Sequence, residues 1–415
     1  MDKWKKNLVI LCVGQFIFMA SMSQIIPFLP LYLQDLGLSD PEEVSRWSGL
    51  IFGAQFLTAF LISPIWGKIA DQYGRKMMLI RSGIGMAIVT TLMGFATSPM
   101  QLLLLRLLNG TISGFIPAAI ALTATNTPKA RTGYALGILQ SSAVAGSICG
   151  PLMGGVLAEF LGFSTIFMYT GIFIFIATLI VIFFVHETFE RKTSQEKTSF
   201  KQDFKLIIAR KPILSLFIIA TLVQLAMLGT LPLIPLYVQE LRDSEQYLAF
   251  FAGLAGAVMG LANMLAAPKL GKIGDRYGSQ FVLFFATLGA AVMTLPQAFV
   301  SSLWQLIAMR FLVGLCMGGM LPSIHALLRH YAPEGMESRT YSYSNSAIFL
   351  GNLIGPITGG FLASLFGLSS IFIYATILLV ISALWVKWTV IHHMNQTSDT
   401  KQITTTSQNT NNPSV

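Results

Sequence analysis

The sequence predicts an all-α membrane protein with twelve transmembrane helices in two pseudo-symmetric six-helix bundles. Three observations predict it: an apolar composition, twelve apolar segments of membrane-spanning length, and an internal repeat. Of the 415 residues, 54% are hydrophobic and 11% are charged, whereas soluble domains carry roughly 25% charged residues. A soluble enzyme is therefore excluded, and the 30 Phe and 19 Met residues also exclude a disordered chain. The lipid bilayer is the expected surrounding of a multi-pass protein.

Twelve segments reach the length of about 20 apolar residues that a helix needs to cross a bilayer. We number them spans 1 to 12 in chain order. They cover approximately 7–34, 46–69, 77–97, 100–125, 133–158, 164–185, 212–239, 247–270, 280–300, 303–328, 339–365 and 367–390. The expected organisation is an N-terminal bundle at 1–186, a cytoplasmic loop at 187–211, a C-terminal bundle at 212–391 and a disordered tail at 392–415.

Basic residues lie on one side of the predicted membrane. They occupy the N-terminus, the loops after spans 2, 4 and 8, and the central loop, which contains seven of them. On the other side only Arg46 and Arg242 stand among acidic residues. The positive-inside rule then places both termini and the central loop in the cytoplasm. The net charge of +9 is explained by topology and predicts no nucleic-acid partner.

The chain also repeats itself. Four short sequences return in the same order, 204 or 205 positions later. The pairs are 27–36 with 232–241, 67–74 with 271–278, Arg106 with Arg310, and 150–155 with 355–360. Two parallel halves with a site at their interface are typical of transporters that work by rocking.

These motifs resemble the major facilitator superfamily, and specifically its twelve-helix drug:proton antiporters, over the whole chain except the tail. The loop at 67–76, GKIADQYGRK, matches the superfamily signature between helices 2 and 3. The resemblance implies a latch between the halves that forms in the outward-facing state and opens on switching. Glycines permit the tight turn, the acid can meet amides at a helix N-terminus, and the basic pair holds the loop inside. The latch residues are Gly67, Asp71, Gly74, Arg75 and Lys76.

The second copy of this loop keeps Asp275 but has Ser279 and Gln280 in place of the basic pair. A weaker latch is expected there.

Span 5 carries the glycine spacing that antiporters of this superfamily share. Glycines four residues apart give a smooth helix face that a neighbouring backbone can approach closely, and proline removes a backbone donor and can kink the span. The residues are Gly146, Gly150, Pro151, Gly154 and Gly155.

Arg106 is expected about six residues into span 4, some 9–10 Å deep by helical rise. A cation at this depth must face the interior and be paired or hydrated, unless it snorkels to the interface. The resemblance implies a role in proton coupling. Arg310 in span 10 has the same two interpretations, with a structural role favoured.

Many members of this family carry a buried acid midway along span 1, whereas this sequence has Ser23 and Gln24 there. The residue that carries the proton is thus left open. The candidates are Asp35, Glu240 and His325, each of which has an alternative interpretation as a solvated or interfacial group.

The predicted substrate cavity is apolar and flexible, with a few polar groups, which suits varied lipophilic ligands. Each residue that is a candidate for contact with the substrate has an alternative interpretation, in which it only packs between helices. They are Gln24, Phe28, Gln55, Gln140, Gln224, Met227 and Asn345.

The sequence contains no phosphate-binding loop and no cluster of His and Cys. No cofactor is therefore expected, and a proton gradient is the predicted energy source. The leading hypothesis is a monomeric efflux antiporter for lipophilic drugs in a bacterial cell membrane. The alternative is a narrow-substrate exporter of a sugar, a siderophore or a single drug such as tetracycline. A membrane enzyme or receptor is disfavoured, because no buried catalytic cluster is present and the halves are duplicated.

Overall fold

The computed structural model describes residues 3–128, 131–187, 206–242, 246–333 and 336–391. The predicted central loop falls largely, and the predicted tail entirely, outside the described residues. The described part is helical and confirms the predicted fold class.

Each bundle contains six spans. In the N-terminal bundle these are span 1, Lys3–Ser23 with Leu29–Asp35; span 2, Pro41–Tyr73; span 3, Arg75–Met93; span 4, Pro99–Ile112 with Phe115–Asn126; span 5, Thr132–Leu161; and span 6, Phe163–Phe184. In the C-terminal bundle they are span 7, Lys211–Thr230 with Ile234–Glu240; span 8, Leu248–Tyr277; span 9, Ser279–Thr294; span 10, Leu303–Tyr331; span 11, Glu337–Phe366; and span 12, Ser370–Trp385. Among the described residues, 11 helices are long and apolar enough to cross a membrane. Span 2, a helix of 33 residues, contains side chains that the structure does not describe and lies outside that count.

Spans 1 and 7 are interrupted at the same point of the repeat, whereas the sequence predicts unbroken helices. A short 3-10 helix, Ile26–Phe28 in span 1 and Leu231–Leu233 in span 7, separates the long helix from a final short one. The cause is a pair of prolines in each copy, since proline lacks the backbone N–H that a continuous helix requires.

Span 4 is also broken, at Gly114, whose φ of 140° is accessible to glycine. The Arg81 side chain from span 3 donates through Nη2 to the Ser113 carbonyl at 3.2 Å. Its guanidinium lies 3.4 Å from the centroid of the Trp66 ring in span 2. Trp66 in turn donates to the Thr111 carbonyl at 2.7 Å. The break is thus tied to spans 2 and 3, whereas span 10, its counterpart in the repeat, runs unbroken.

The two ends of the molecule are packed differently. We call the end that holds Lys3 and Ile391 the proximal end and the opposite one the distal end. One hydrophobic core at the distal end draws residues from both bundles, among them Phe28 and Leu233. The other two cores each belong to a single bundle. The apolar core therefore joins the bundles at the distal end.

Spans 2 and 11, and spans 5 and 8, form the seam between the bundles. A Cβ added at Gly49 would collide with the Pro356 carbonyl of span 11. A Cβ at Gly155 would lie 2.6 Å from the Ala249 carbonyl of span 8. These backbones touch because glycine leaves no side chain between them. The seam needs glycine at these positions.

Towards the proximal end, two glycines of spans 5 and 8 have open space beside them. Gly137 lies in the proximal part of span 5 and Gly271 in that of span 8, and a Cβ added at either would meet no atom within 4 Å. The close contacts between the bundles that we find among the described residues lie in the distal half. The bundles are therefore joined at the distal end, and none of the glycine contacts found among the described residues joins them at the proximal end.

Two glycines of span 5 provide a matched test of close packing. A Cβ at Gly150 would overlap the Ser23 hydroxyl and the Ala20 carbonyl of span 1, whereas Gly137 has open space. We expect Gly150→Ala to destabilise the folded protein by about 1–3 kcal/mol through overpacking. Gly137→Ala should leave stability unchanged or raise it, because Ala favours helices by about 1 kcal/mol over Gly. Thermal unfolding of the purified protein in detergent measures both, and equal midpoints for the two variants would refute close packing at Gly150.

Candidate functional site

Arg106 and Gln55 form a buried pair between spans 4 and 2. Arg106 is 5% exposed, and its Nη1 donates to Gln55 Oε1 at 2.9 Å. Its Nε is buried and has no hydrogen-bond partner. The sequence identifies both residues as candidates but for separate roles, and the structure brings them together. The Arg106 side chain is buried inside the bundle, and its role in proton coupling stays a prediction.

Arg310, the repeat counterpart of Arg106, is buried in the same way. It is 2% exposed, and its Nε donates to the Ala255 carbonyl of span 8 at 2.6 Å. Its Nη2 is buried without a partner. Among the described residues, neither guanidinium forms an ion pair. Each bundle thus holds one buried guanidinium group in which one nitrogen has no hydrogen-bond acceptor.

The loop between spans 2 and 3 is held by a residue that was predicted to lie in the central loop. Gly74, with a φ of 92°, turns the chain into span 3. The backbone N–H groups of Arg75 and Lys76 donate to the two carboxylate oxygens of Glu187 at 3.0 and 2.8 Å. Glu187 therefore caps span 3 and ties it to the end of span 6. The signal available in the sequence is an acid placed directly after span 6.

The latch itself stays a prediction. The contacts of Gly67 and the side chain of Asp71 lie outside the described residues, and Asp275 in the second copy is exposed.

Span 5 uses its glycines to contact two different partners. A Cβ at Gly146 would lie 2.5 Å from the Phe16 carbonyl of span 1, and one at Gly154 would collide with the Gln24 carbonyl. In contrast, Gly155 contacts span 8, and the Pro151 carbonyl meets Gly253 there. Span 5 packs within its own bundle on one face and across the seam on another.

The seven cavity candidates occupy different environments. Gln24 is buried and donates to the Thr170 hydroxyl of span 6, and Phe28 is fully buried against the rings of Phe163 and Phe167. Met227 is also buried. Gln55 and Gln224 are half-buried, whereas Gln140 and Asn345 are exposed. Among the described residues, we find no hydrogen bond or ring contact that joins two of the seven, and their contact with substrate stays a prediction.

The proton-coupling candidates lie at opposite ends. Asp35 and Glu240 are exposed at the distal end. Their chain neighbours Gln34 and Gln239, which are repeat counterparts, form a hydrogen bond across the two bundles at 3.2 Å. His325 lies near the proximal end.

The centroid of the His325 ring lies 5.7 Å from that of the Tyr341 ring in span 11. The Tyr341 hydroxyl donates to the backbone carbonyl of His325 at 3.1 Å. No contact among the described residues links this histidine to the two acids, and all three stay candidates.

Within the described ranges, no group of three or more His, Cys, Asp or Glu side chains could hold a metal ion. Cys12, Cys149 and Cys316 are free thiols.

Comparisons with known proteins agree with this architecture. The family model of the Major Facilitator Superfamily matches residues 11–296 and 246–410. The chain is 39% identical over 387 residues to the multidrug resistance protein MdtG of Proteus mirabilis, covering 93% of this chain and 96% of that protein. It is 37% identical over 385 residues to MdtG of a Rahnella species, covering 93% of each.

Solved structures share the fold at low sequence identity. A bacterial homologue of the human lysosomal transporter Spinster, in an inward-facing and unoccupied conformation, matches with a TM-score of 0.78 and 16% identity, covering 93% of this chain and 96% of that one. The nucleoside transporter NupG matches with a TM-score of 0.76 and 12% identity, covering 92% and 98%.

The cap on span 3 can be tested directly. Glu187→Ala removes both hydrogen bonds to the first turn, so we expect the folded protein to lose about 1–2 kcal/mol of stability. Glu187→Gln retains one amide oxygen as acceptor and should lose less. Thermal unfolding in detergent ranks the stability of the parent protein and the two variants. An alanine variant as stable as the parent would contradict the cap.

Proposed function

The chain belongs to the Major Facilitator Superfamily, and we propose that this transporter exports lipophilic drugs in exchange for protons by alternating access. The observation that carries the proposal is the packing of the two bundles against each other at the distal end, combined with the open space beside Gly137 and Gly271 near the proximal end. Since the basic loops favour a cytoplasmic proximal end, this conformation opens to the cytoplasm. A drug entering from inside would then leave when the distal seam parts.

The substrate class is supported by the relatives. Proteins named multidrug resistance protein MdtG align with almost the whole chain. An apolar interior with single amide groups, such as Gln55 and Gln224, can accept varied lipophilic ligands without demanding one shape. A narrow-substrate exporter of a sugar, a siderophore or tetracycline is the alternative.

Proton exchange is supported by the sequence and by the resemblance of its motifs. The chain carries no nucleotide-binding loop, so an ion gradient is the available energy source. In this proposal Asp71 and the basic pair Arg75 and Lys76 close the proximal end when the distal end opens. We place the protein, as a monomer with both termini cytoplasmic, in a bacterial cell membrane.

Dye efflux from pump-deficient bacterial cells tests the proposal. Cells expressing the chain are preloaded with ethidium or a Hoechst dye and followed with and without a protonophore. We expect export of both dyes, and its collapse when the protonophore removes the gradient. Export that survives the protonophore would refute proton coupling. Protein present in the membrane without export of either dye would favour the narrow-substrate alternative.

Locking the distal seam tests alternating access. Gln34 and Gln239 are joined at 3.2 Å across the bundles, so a short thiol crosslinker should connect the double variant Gln34→Cys/Gln239→Cys in a background whose three native cysteines are replaced. We expect crosslinking to reduce efflux by about tenfold or more, because a closed seam blocks the alternate state, and cleavage of the linker to restore it. Each single cysteine variant serves as the control. Undiminished efflux by fully crosslinked protein would refute opening at this seam.

A further inference from the structure

We infer that Glu159 is a positioning residue of the transport cycle, which holds the two bundles together at the distal end by capping span 8 from the opposite bundle. The inference rests on the alternating access of the proposed function and assigns one residue to it. It starts from a hydrogen bond across the seam, in which Glu159 Oε1 of span 5 accepts from the backbone N–H of Tyr247 at 2.9 Å.

Glu159 continues the face of span 5 that packs against the other bundle. Gly155 and Glu159 are four residues apart in one helix and therefore lie on the same face. The backbone at Gly155 meets the Ala249 carbonyl in the first turn of span 8. Glu159 then reaches Tyr247, the residue that precedes this helix. The hydrogen bond thus extends the row of contacts between spans 5 and 8 to the start of span 8.

Span 8 has no cap of its own. The first N–H groups of a helix have no partner within it, and a side chain of the N-cap residue or of the third helical residue usually accepts from them. The N-cap residue of span 8 is Tyr247, which forms no side-chain cap, and the first turn contains no acid. The third residue is Phe250. The carboxylate of Glu159 supplies the acceptor, and its charge suits the positive end of the helix dipole.

Span 2, the repeat counterpart of span 8, is capped within its own bundle. Its N-cap residue Asp40 accepts from the Glu42 N–H at 3.1 Å, and Glu42 and Glu43 lie in its first turn. The two helices occupy equivalent places on the two sides of the seam, but of the two it is span 8 that takes its cap from the other bundle. Separation of the bundles therefore removes the cap of span 8 and leaves that of span 2 intact.

The backbone at Tyr247 is held in place from both bundles. Its φ of 58° lies in the left-handed region, which the other described non-glycine residues avoid and which is costly for a side chain. Such a conformation persists where its surroundings determine it. From its own bundle, Arg242 donates to the Gln246 carbonyl at 2.9 Å and places its guanidinium 4.1 Å from the centroid of the Phe251 ring. The contact from the opposite bundle is Glu159.

A buried cysteine reports opening of the seam. Leu233 is fully buried in the apolar core that both bundles share. In a background whose three native cysteines are replaced, Leu233→Cys should react with a bulky, water-soluble maleimide only when the distal packing opens. The reaction rate is measured on purified full-length protein in detergent. We expect Glu159→Ala to raise this rate about three- to tenfold, because the closed state loses a cap. Glu159→Gln retains an acceptor and should raise it less.

Asp40→Ala is the matched control. It removes an exposed cap of the same kind from span 2 and leaves every contact of Glu159 intact. Both alanine variants should lower the midpoint of thermal unfolding, whereas Glu159→Ala alone should raise the reaction rate. An unchanged rate in Glu159→Ala, or an equal rise in the two variants, overturns the inference.

Spin labels give a second measurement that needs no buried cysteine. Thr97 and Ser301 are exposed repeat counterparts in distal loops of the two bundles. The distance between labels on Thr97→Cys and Ser301→Cys should lengthen when the distal end opens. We expect the ratio of long to short distances to rise about three- to tenfold in Glu159→Ala and to stay unchanged in Asp40→Ala. Identical distance distributions in the parent and both variants overturn the inference.

Dye efflux separates this inference from the proposed function. Export of both dyes, together with an unchanged Leu233→Cys rate in Glu159→Ala, overturns the cap across the seam and leaves drug export standing. Absence of export, together with the expected rise in rate, overturns drug export and supports the cap.

Discussion

The structure depends on close backbone contact between the bundles at the distal end. In a bilayer, apolar helices gain little by leaving lipid for each other, so association depends on packing and on small residues that let backbones meet. Gly49 against Pro356 and Gly155 against Ala249 supply that contact on the two sides of the seam. Because the contacts are formed by backbone atoms, they tolerate no side chain and fix which end of the molecule is shut.

Packing within each bundle sets the environment of two charged residues. Arg106 and Arg310 are buried within helix contacts rather than in water, and a buried charge interacts strongly with its surroundings. In contrast, the acids of the distal surface stay hydrated and contribute little to the interior. The protein thus holds two cations in its interior, whereas its acidic residues lie in loops or at helix ends.

The fold was predictable from sequence because its signals are redundant: apolar length, basic loops and an internal repeat all specify the same two bundles. The buried state of Arg106 followed from its depth in span 4, and its partner Gln55 was within the candidate set. The Glu187 cap was missed because it joins residues more than 100 positions apart, which no local pattern reveals. The scatter of Gln24, Phe28 and Gln140 was also unpredictable, since the facing of each helix depends on packing that apolar content alone does not encode.

The break in span 4 has a consequence for how the two halves relate. Its tether uses Trp66 and Arg81, whereas the corresponding positions of the second half carry Leu270 and Phe285. The duplicated halves have therefore diverged at this point of the repeat. A chain assembled from two N-terminal halves would contain two helices broken in this way, and a chain assembled from two C-terminal halves would contain none.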